Sequence, residues 1–188
     1  PAATRTAVVE YGVRLLDTDA ASRNEQLIFT SGDVTVVTKV WYTRVGFNRT
    51  RLSDVDSLRA LGGESIVVGL IHWPRCRSEI EWMRCEEEEV ELGERVRNLP
   101  GGDWRGCWRA LEDLYEEGLL EGIGGSNFEK SDLLELVGTN GITPHLIQLN
   151  LWTFLFDPDL VRLCQTRSIH IQLYNVMNGG VIPLLDRL

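Results

Sequence analysis

Apolar residues recur along this chain in two alternating patterns. Short unbroken apolar runs, rich in β-branched side chains, are separated by stretches in which apolar positions return every three or four residues. The first pattern suits strands buried on both faces and the second suits amphipathic helices. The clearest case runs from Trp108 to Phe128. Trp108, Leu111, Leu114 and Tyr115 fall on one helical face, with Glu112, Asp113, Glu116 and Glu117 on the other side. Gly118 can end that helix in a left-handed cap. A short apolar strand, Leu119 to Gly125, follows and closes on Ser126 and Asn127. Helix, tight turn, buried strand and polar residues at the strand's carboxyl end form the unit of an alternating α/β protein. Ligands gather at those carboxyl ends.

The same reading extends along the chain. Ala2 to Glu10 is predicted as the end of a helix, and Val13 to Asp17 (VRLLD) as a strand. Asn24 to Phe29 is a short helix, and Val34 to Val40 (VTVVTKV) is a β-branched strand. Ser53 is placed to cap a helix through Leu61, and Ser65 to His72 (SIVVGLIH) forms the next strand. Beyond the 108–128 unit come a helix over Ser131 to Val137 and a strand over Leu146 to Leu149. A helix started by Asp157 and Pro158 and a strand from Ile169 to Tyr174 complete the pattern. Six strands, each followed by a helix or loop, imply parallel pairing with right-handed crossovers, as an open sheet or a sector of a barrel.

Residues 75–103 break the rhythm. Glu79, Glu81, Glu86 to Glu89, Glu91 and Glu94 crowd together before Pro100-Gly101-Gly102. The bland expectation is a solvated acidic insert, partly helical. The alternative is a docking surface for a basic protein partner. Trp82 and Met83 within it predict that part of the insert packs on something.

Composition narrows the field. The length of 188 residues fits one domain, 1–188, with a real core. A net charge of −9 argues against nucleic acid, and no apolar run is long enough to span a membrane. Cys76, Cys85, Cys107 and Cys164 lack C-x-x-C spacing and are expected to be free thiols, in the cytoplasm or in an organelle after removal of a transit peptide. No zinc-ligand spacing, G-x-G-x-x-G or Walker motif occurs, and the glycines from Gly122 to Gly125 read as strand packing.

The stretch from Trp108 to Phe128 writes W-x-A-L-E-x-L-x-x-x-G-x-x-x-x-I-G-x-S-N-F. This closely resembles the signature of the aldo-keto reductase family, and shorter motifs repeat the likeness in the same order. The resemblance implies a parallel (β/α)₈ TIM barrel and NADP(H)-dependent carbonyl reduction. Against a whole family member the chain begins in the first helix and stops after the seventh strand, so an incomplete barrel without its first and eighth strands is expected. Its two open edges would need a further segment or a protein partner to cover them.

Carbonyl reduction needs a general acid within hydrogen-bond reach of the carbonyl oxygen. The family uses a tyrosine, activated by a lysine that an aspartate holds, with a histidine orienting the substrate. Asp17 in VRLLDT, Lys39 in VTKVW and His72 in LIHWP match three of these groups. Each also ends a strand on independent grounds, and an Asp17–Lys39 ion pair retained only for folding would explain two of them. The tyrosine position of D-T-A-x-x-Y-x-N-E is Ser22, with Asp19 replacing a small residue nearby. One ammonium cannot make an alcohol acidic enough to do a phenol's work. Tyr42 lies close to Lys39, but its spacing does not make it a substitute.

For the cofactor, Ser126, Asn127 and Gln148 match the residues that bind the nicotinamide amide, and Tyr174 matches the aromatic that stacks on its ring. Ile147 and Asn175 depart from the family's asparagine and serine. The basic segment that grips the 2′-phosphate would lie beyond Leu188. The resemblance therefore implies NADP(H), or no cofactor where this erosion has gone far enough. The leading expectation is a catalytically degenerate domain serving as a structural or interaction subunit. An active aldehyde or ketone reductase and a cofactor-binding sensor without turnover are the alternatives.

Overall fold

The computed structural model describes residues 8–13, 34–60 and 68–176. One six-stranded sheet runs through them in the order β1 (Val8–Val13), β2 (Val34–Val40), β3 (Val68–Ile71), β4 (Gly122–Ser126), β5 (Leu146–Asn150), β6 (His170–Tyr174). From β2 to β6 the strands are parallel, and spatial order follows chain order. Helices fill the crossovers: α1 (Phe47–Ala60), α2 (Cys85–Glu91), α3 (Glu94–Arg97), α4 (Trp104–Glu116), α5 (Lys130–Gly138), α6 (Leu151–Phe156) and α7 (Pro158–Thr166). Sequential parallel strands with helices between them form a sector of a (β/α)₈ barrel, as expected.

Side chains of a strand alternate between its faces, and this alternation sorts the residues by use. Val40, Ile71, Ile123, Ile147, Leu149, Ile171 and Leu173 face the helices. There they meet Trp108, Leu111 and Leu114 of α4, Leu133 and Leu136 of α5, and Leu160 and Cys164 of α7. The intervening positions, Lys39, Leu70, Ser126, Gln148 and Tyr174, belong to the opposite face, which is the inside of a barrel.

Several local expectations hold. Asp157 accepts from the Leu160 amide at 3.0 Å, with Pro158 at the first position of α7. Gly118 adopts φ +73° and ends α4, a conformation that costs a residue with a Cβ. The acidic insert is partly helical, through α2 and α3, and Met83 is buried within it.

Other expectations are corrected. Residues 8–10 belong to a strand, not to a helix, and β1 runs antiparallel to β2 from Val8↔Lys39 to Val13↔Val34, so the sheet is not wholly parallel. The β-branched Val8, Val9 and Val13 suit that ladder, and β2 gains a partner on its outer edge. Ser53 lies in the middle of α1, buried, where its carbonyl accepts from the Ser57 hydroxyl at 2.9 Å. A serine in an apolar-spaced stretch can face a neighbour as readily as cap a helix. Cys76 and Cys85 form a disulfide, against the expectation of four free thiols, while Cys107 and Cys164 are free and buried. Spacing could not reveal that pairing, because the insert's fold brings the two Cα atoms to 6.1 Å. The expected helix over 24–29 and most of the strand over 13–17 lie outside the described residues.

Candidate active site

The inward-facing positions converge at the carboxyl ends of the strands. Lys39 is the next-to-last residue of β2 and is only 5 % exposed. His72 follows β3 directly, and its amide donates to the Val40 carbonyl at 3.0 Å, fixing it beside the end of β2. Ser126 ends β4, Gln148 sits mid-strand in β5, and Tyr174 ends β6. Ladder pairing places Ser126 opposite Gln148 and Gln148 opposite Gln172.

A cleft of about 370 Å³ opens at this edge, and Lys39, His72, Ser126, Asn127 and Tyr174 all line it. Five of the sequence-predicted site residues are therefore brought together. Gln148 is 1 % exposed beneath them, and its Nε2 donates to Gln172 Oε1 at 2.7 Å. Asp17 and Ser22 lie outside the described residues.

Asn127 organises the cleft. Its backbone takes φ 60°, which asparagine tolerates better than most residues. That turn aims its amide inward. Nδ2 donates to the His72 carbonyl at 2.9 Å and to Ser126 Oγ at 3.1 Å, while Oδ1 accepts from the Tyr174 hydroxyl. Strands β3, β4 and β6 are thus tied together at their ends by one side chain. Burial raises the Tyr174 phenol above its ordinary pKa, and its hydrogen bonds with Asn150 and Asn127 offset part of that.

The other nearby tyrosine is no better suited to proton donation. Tyr42 is buried and lines a separate cavity with Val45, Pro74 and Arg75. Burial and the neighbouring Glu88 carboxylate push its phenol well above the usual range. The two departures from the family pattern differ in weight. Asn175 lines the cleft, whereas Ile147 is fully buried on the helix-facing side and is turned away from it. The period of the strand decides this, since positions 147 and 148 face opposite ways.

Residues that the sequence reading missed come mainly from around the insert. Ile80, Trp82 and Asn150 line the cleft beside Trp73. Trp82 gathers an aromatic cluster: its ring stacks on His72 at 6.5 Å and lies 6.1–6.2 Å from Trp73, Trp41 and Tyr42. The tryptophans were visible in the sequence, but their convergence depends on the path of the insert. Part of the acidic run is spent on the fold, since Glu88 accepts from the Trp41 indole and Glu89 pairs with Arg49 at 2.7 Å. Among the described residues no group of three or more His, Cys, Asp or Glu could hold a metal, and no helix is long and apolar enough to cross a membrane.

Comparison with known proteins agrees with this architecture. An uncharacterised oxidoreductase of Bacillus subtilis, YtbE, is 30 % identical over 98 % of this chain and 60 % of its own length. A glycerol 2-dehydrogenase (NADP(+)) of Saccharomyces cerevisiae is 27 % identical over 93 % of this chain and 59 % of its own. The chain spans about three fifths of the length of these relatives. Among solved structures, an aldo/keto reductase of Brucella melitensis superposes with a TM-score of 0.61 at 26 % identity, over 85 % of this chain and 53 % of that one. A Bombyx mori aldo-keto reductase solved with NADP shares the fold, with a TM-score of 0.59 at 23 % identity over 86 % and 48 %. The sequence model of the aldo/keto reductase family matches residues 2–184, and the chain belongs to that family of oxidoreductases.

Proposed function

We propose that this chain is a nicotinamide-binding aldo-keto reductase domain whose carbonyl reduction is impaired at the acid, and that it serves as a binding or structural subunit. The supporting observation is the convergence of Lys39, His72, Ser126, Asn127 and Tyr174 on one cleft, in a sequence whose tyrosine position is Ser22. Of the tyrosines nearby, Tyr174 in the cleft and Tyr42 beside it both have their phenol raised by burial.

The cleft suits a primary carboxamide, which presents one acceptor and one donor. Ser126 Oγ already accepts from Asn127, which leaves its O–H to donate. Asn127 Oδ1 accepts from Tyr174 and retains a second lone pair. That donor–acceptor pair fits the nicotinamide amide of NADP(H). The bond to Asn127 also holds the Tyr174 ring where one face can lie against a planar ligand. When bound, NADP(H) would supply hydride for a carbonyl. Lys39 places positive charge at the cleft wall and His72 can donate to a carbonyl oxygen, both of which favour a developing oxyanion. Among the described residues, no tyrosine with an unhindered proton stands ready for proton delivery as the family's acid does.

The test is NADPH oxidation by the full-length protein with a panel of small aldehydes, alongside NADPH fluorescence. The expected result is cofactor binding with turnover no higher than that of Lys39→Met. Ser22→Tyr is expected to raise turnover by about 10²- to 10⁴-fold, the usual worth of a positioned acid. A second reading, an active reductase, draws on the survival of Lys39 and His72 in the cleft. Clear turnover that Lys39→Met abolishes would establish it and overturn the first. For the subunit role we propose a basic partner meeting the exposed carboxylates of Glu86 and Glu87. A native-source protein that migrates as a lone monomer would remove that role.

A further inference from the structure

One wall of the cleft is fastened by a covalent bond. The disulfide between Cys76 and Cys85 closes a loop that carries Ile80 and Trp82, and both of these line the cleft. Trp82 is 50 % exposed yet packs against the rings of Trp41, His72 and Trp73, so it lines the cleft without being sealed into the core. Besides the burial of Met83 and the ring contacts of Trp82, few hydrogen bonds hold the loop. The Ile80 amide donates to the Arg77 carbonyl at 3.1 Å, the Met83 amide to Ile80 at 2.8 Å, and the Arg77 amide meets Met83 Sδ at 3.4 Å. The loop's first end is anchored on the α5 side, where Arg75 pairs with Asp132 and Arg77 with Glu129. Its far end continues into α2, which is anchored on the α1 side through Glu89 and Arg49. The disulfide joins these two separately anchored ends.

We propose that the Cys76–Cys85 disulfide is a redox latch that holds Trp82 over the mouth of the cleft, and that its reduction frees the loop and opens the cleft. Both cysteines are half-buried and within reach of a small or protein dithiol. A thiolate of that dithiol attacks one protein sulfur and the S–S bond breaks, giving a mixed disulfide. The second thiol of the reductant then displaces the protein sulfur. Cys76 and Cys85 gain two electrons and two protons in all, and the dithiol leaves as its own disulfide. Cys107 and Cys164 stand apart from this exchange. Both are buried, and burial pushes their thiols up, to about 11 for Cys164, so little thiolate is present to attack. The latch concerns the shape of the cleft and is independent of which ligand occupies it.

The test combines thiol labelling with the accessibility of Trp82 in the whole chain. Folded protein, equilibrated with oxidised glutathione, is treated with a maleimide before and after dithiothreitol, and the labelled cysteines are located by mass. No label at Cys76 and Cys85 before reduction, and label at both after it, is expected. Acrylamide quenching is measured in parallel, with Trp82→Phe subtracted to isolate the Trp82 emission. Quenching of Trp82 is expected to rise on reduction. A Cys76→Ser/Cys85→Ser variant should show the reduced level with or without dithiothreitol. Free Cys76 and Cys85 in the oxidised sample, or the same Trp82 quenching in both states, would overturn the latch. Should the double variant fail to fold, the comparison of one protein before and after dithiothreitol, with unchanged circular dichroism, decides alone.

Discussion

Asp54 lies in α1, 1 % exposed, and its Oδ2 has no hydrogen-bond donor. Burial raises this carboxyl from its ordinary 3.8 to about 7. Between those values the folded chain holds a proton that the unfolded chain releases. Stability is therefore fully present in acid, falls as pH climbs through this window, and levels off above about 7. The loss is on the order of several kcal/mol. Asp54→Asn is expected to flatten the curve, which urea midpoints measured from pH 4.5 to 8 would show. Gly124 is constrained in a different way. A Cβ there would run into the Leu146 carbonyl oxygen and the Leu70 side chain. Gly124→Ala is expected to cost about 3 kcal/mol by parting β4 from β5, read as a lowered melting temperature with Gly138→Ala, where a Cβ meets nothing within 4 Å, as a solvent-facing comparison. Most of the inward-facing candidates were legible at this scale because they stand at or beside the carboxyl end of a strand, where a buried charged or polar side chain is expensive unless it has a use. The bonds through Asn127 were not, since they depend on one left-handed residue that no apolar pattern announces.

At the scale of elements, hydrophobic period carried the reading and local polar chemistry was harder to see. Strands β2 to β6 appear where unbroken apolar runs placed them, and α4, α5 and α7 lie under the predicted stripes. The start of α4 was missed by four residues. Asp103 is its N-cap, accepting from the Gly106 amide at 3.0 Å, and that hydrogen bond lowers the Asp103 carboxyl. The signal was present as an aspartate before Trp104, hidden by the neighbouring glycines. Asp103→Ala is expected to cost about 1 kcal/mol, seen as a lower urea midpoint at unchanged slope. Helix α6 could not be foreseen from periodicity, because Leu151 to Phe156 is apolar almost throughout. What starts it is Asn150, which ends β5 and accepts from the Trp152 amide at 3.0 Å. The antiparallel β1 escaped for another reason. Val9, Tyr11 and Val13 alternate with Glu10 and Gly12 over too short a run to stand out, and the ladder that selects the strand is made with residues roughly twenty to thirty positions away.

Across the whole molecule, the insert is held down by charge pairs reaching distant elements. Asp132 is buried and accepts from both ends of the Arg75 guanidinium while completing the cap of α5 through the Glu129 amide. Removing Arg75 leaves that carboxylate poorly paired. Arg75→Ala is expected to cost about 2 kcal/mol, in the range for hydrogen bonds to charged groups, and to loosen the insert, read as faster amide exchange over 76–85. Such ties could not be drawn from the sequence, where the insert shows only an excess of glutamate. The alternation along each strand has a wider effect. Residues that shape the cleft and residues that build the core are interleaved, one position apart, and answer to different neighbours. Selection can therefore edit one set with little reference to the other. A lineage that changes its chemistry need not renegotiate its architecture, and the barrel wall can outlast the reaction it was built around.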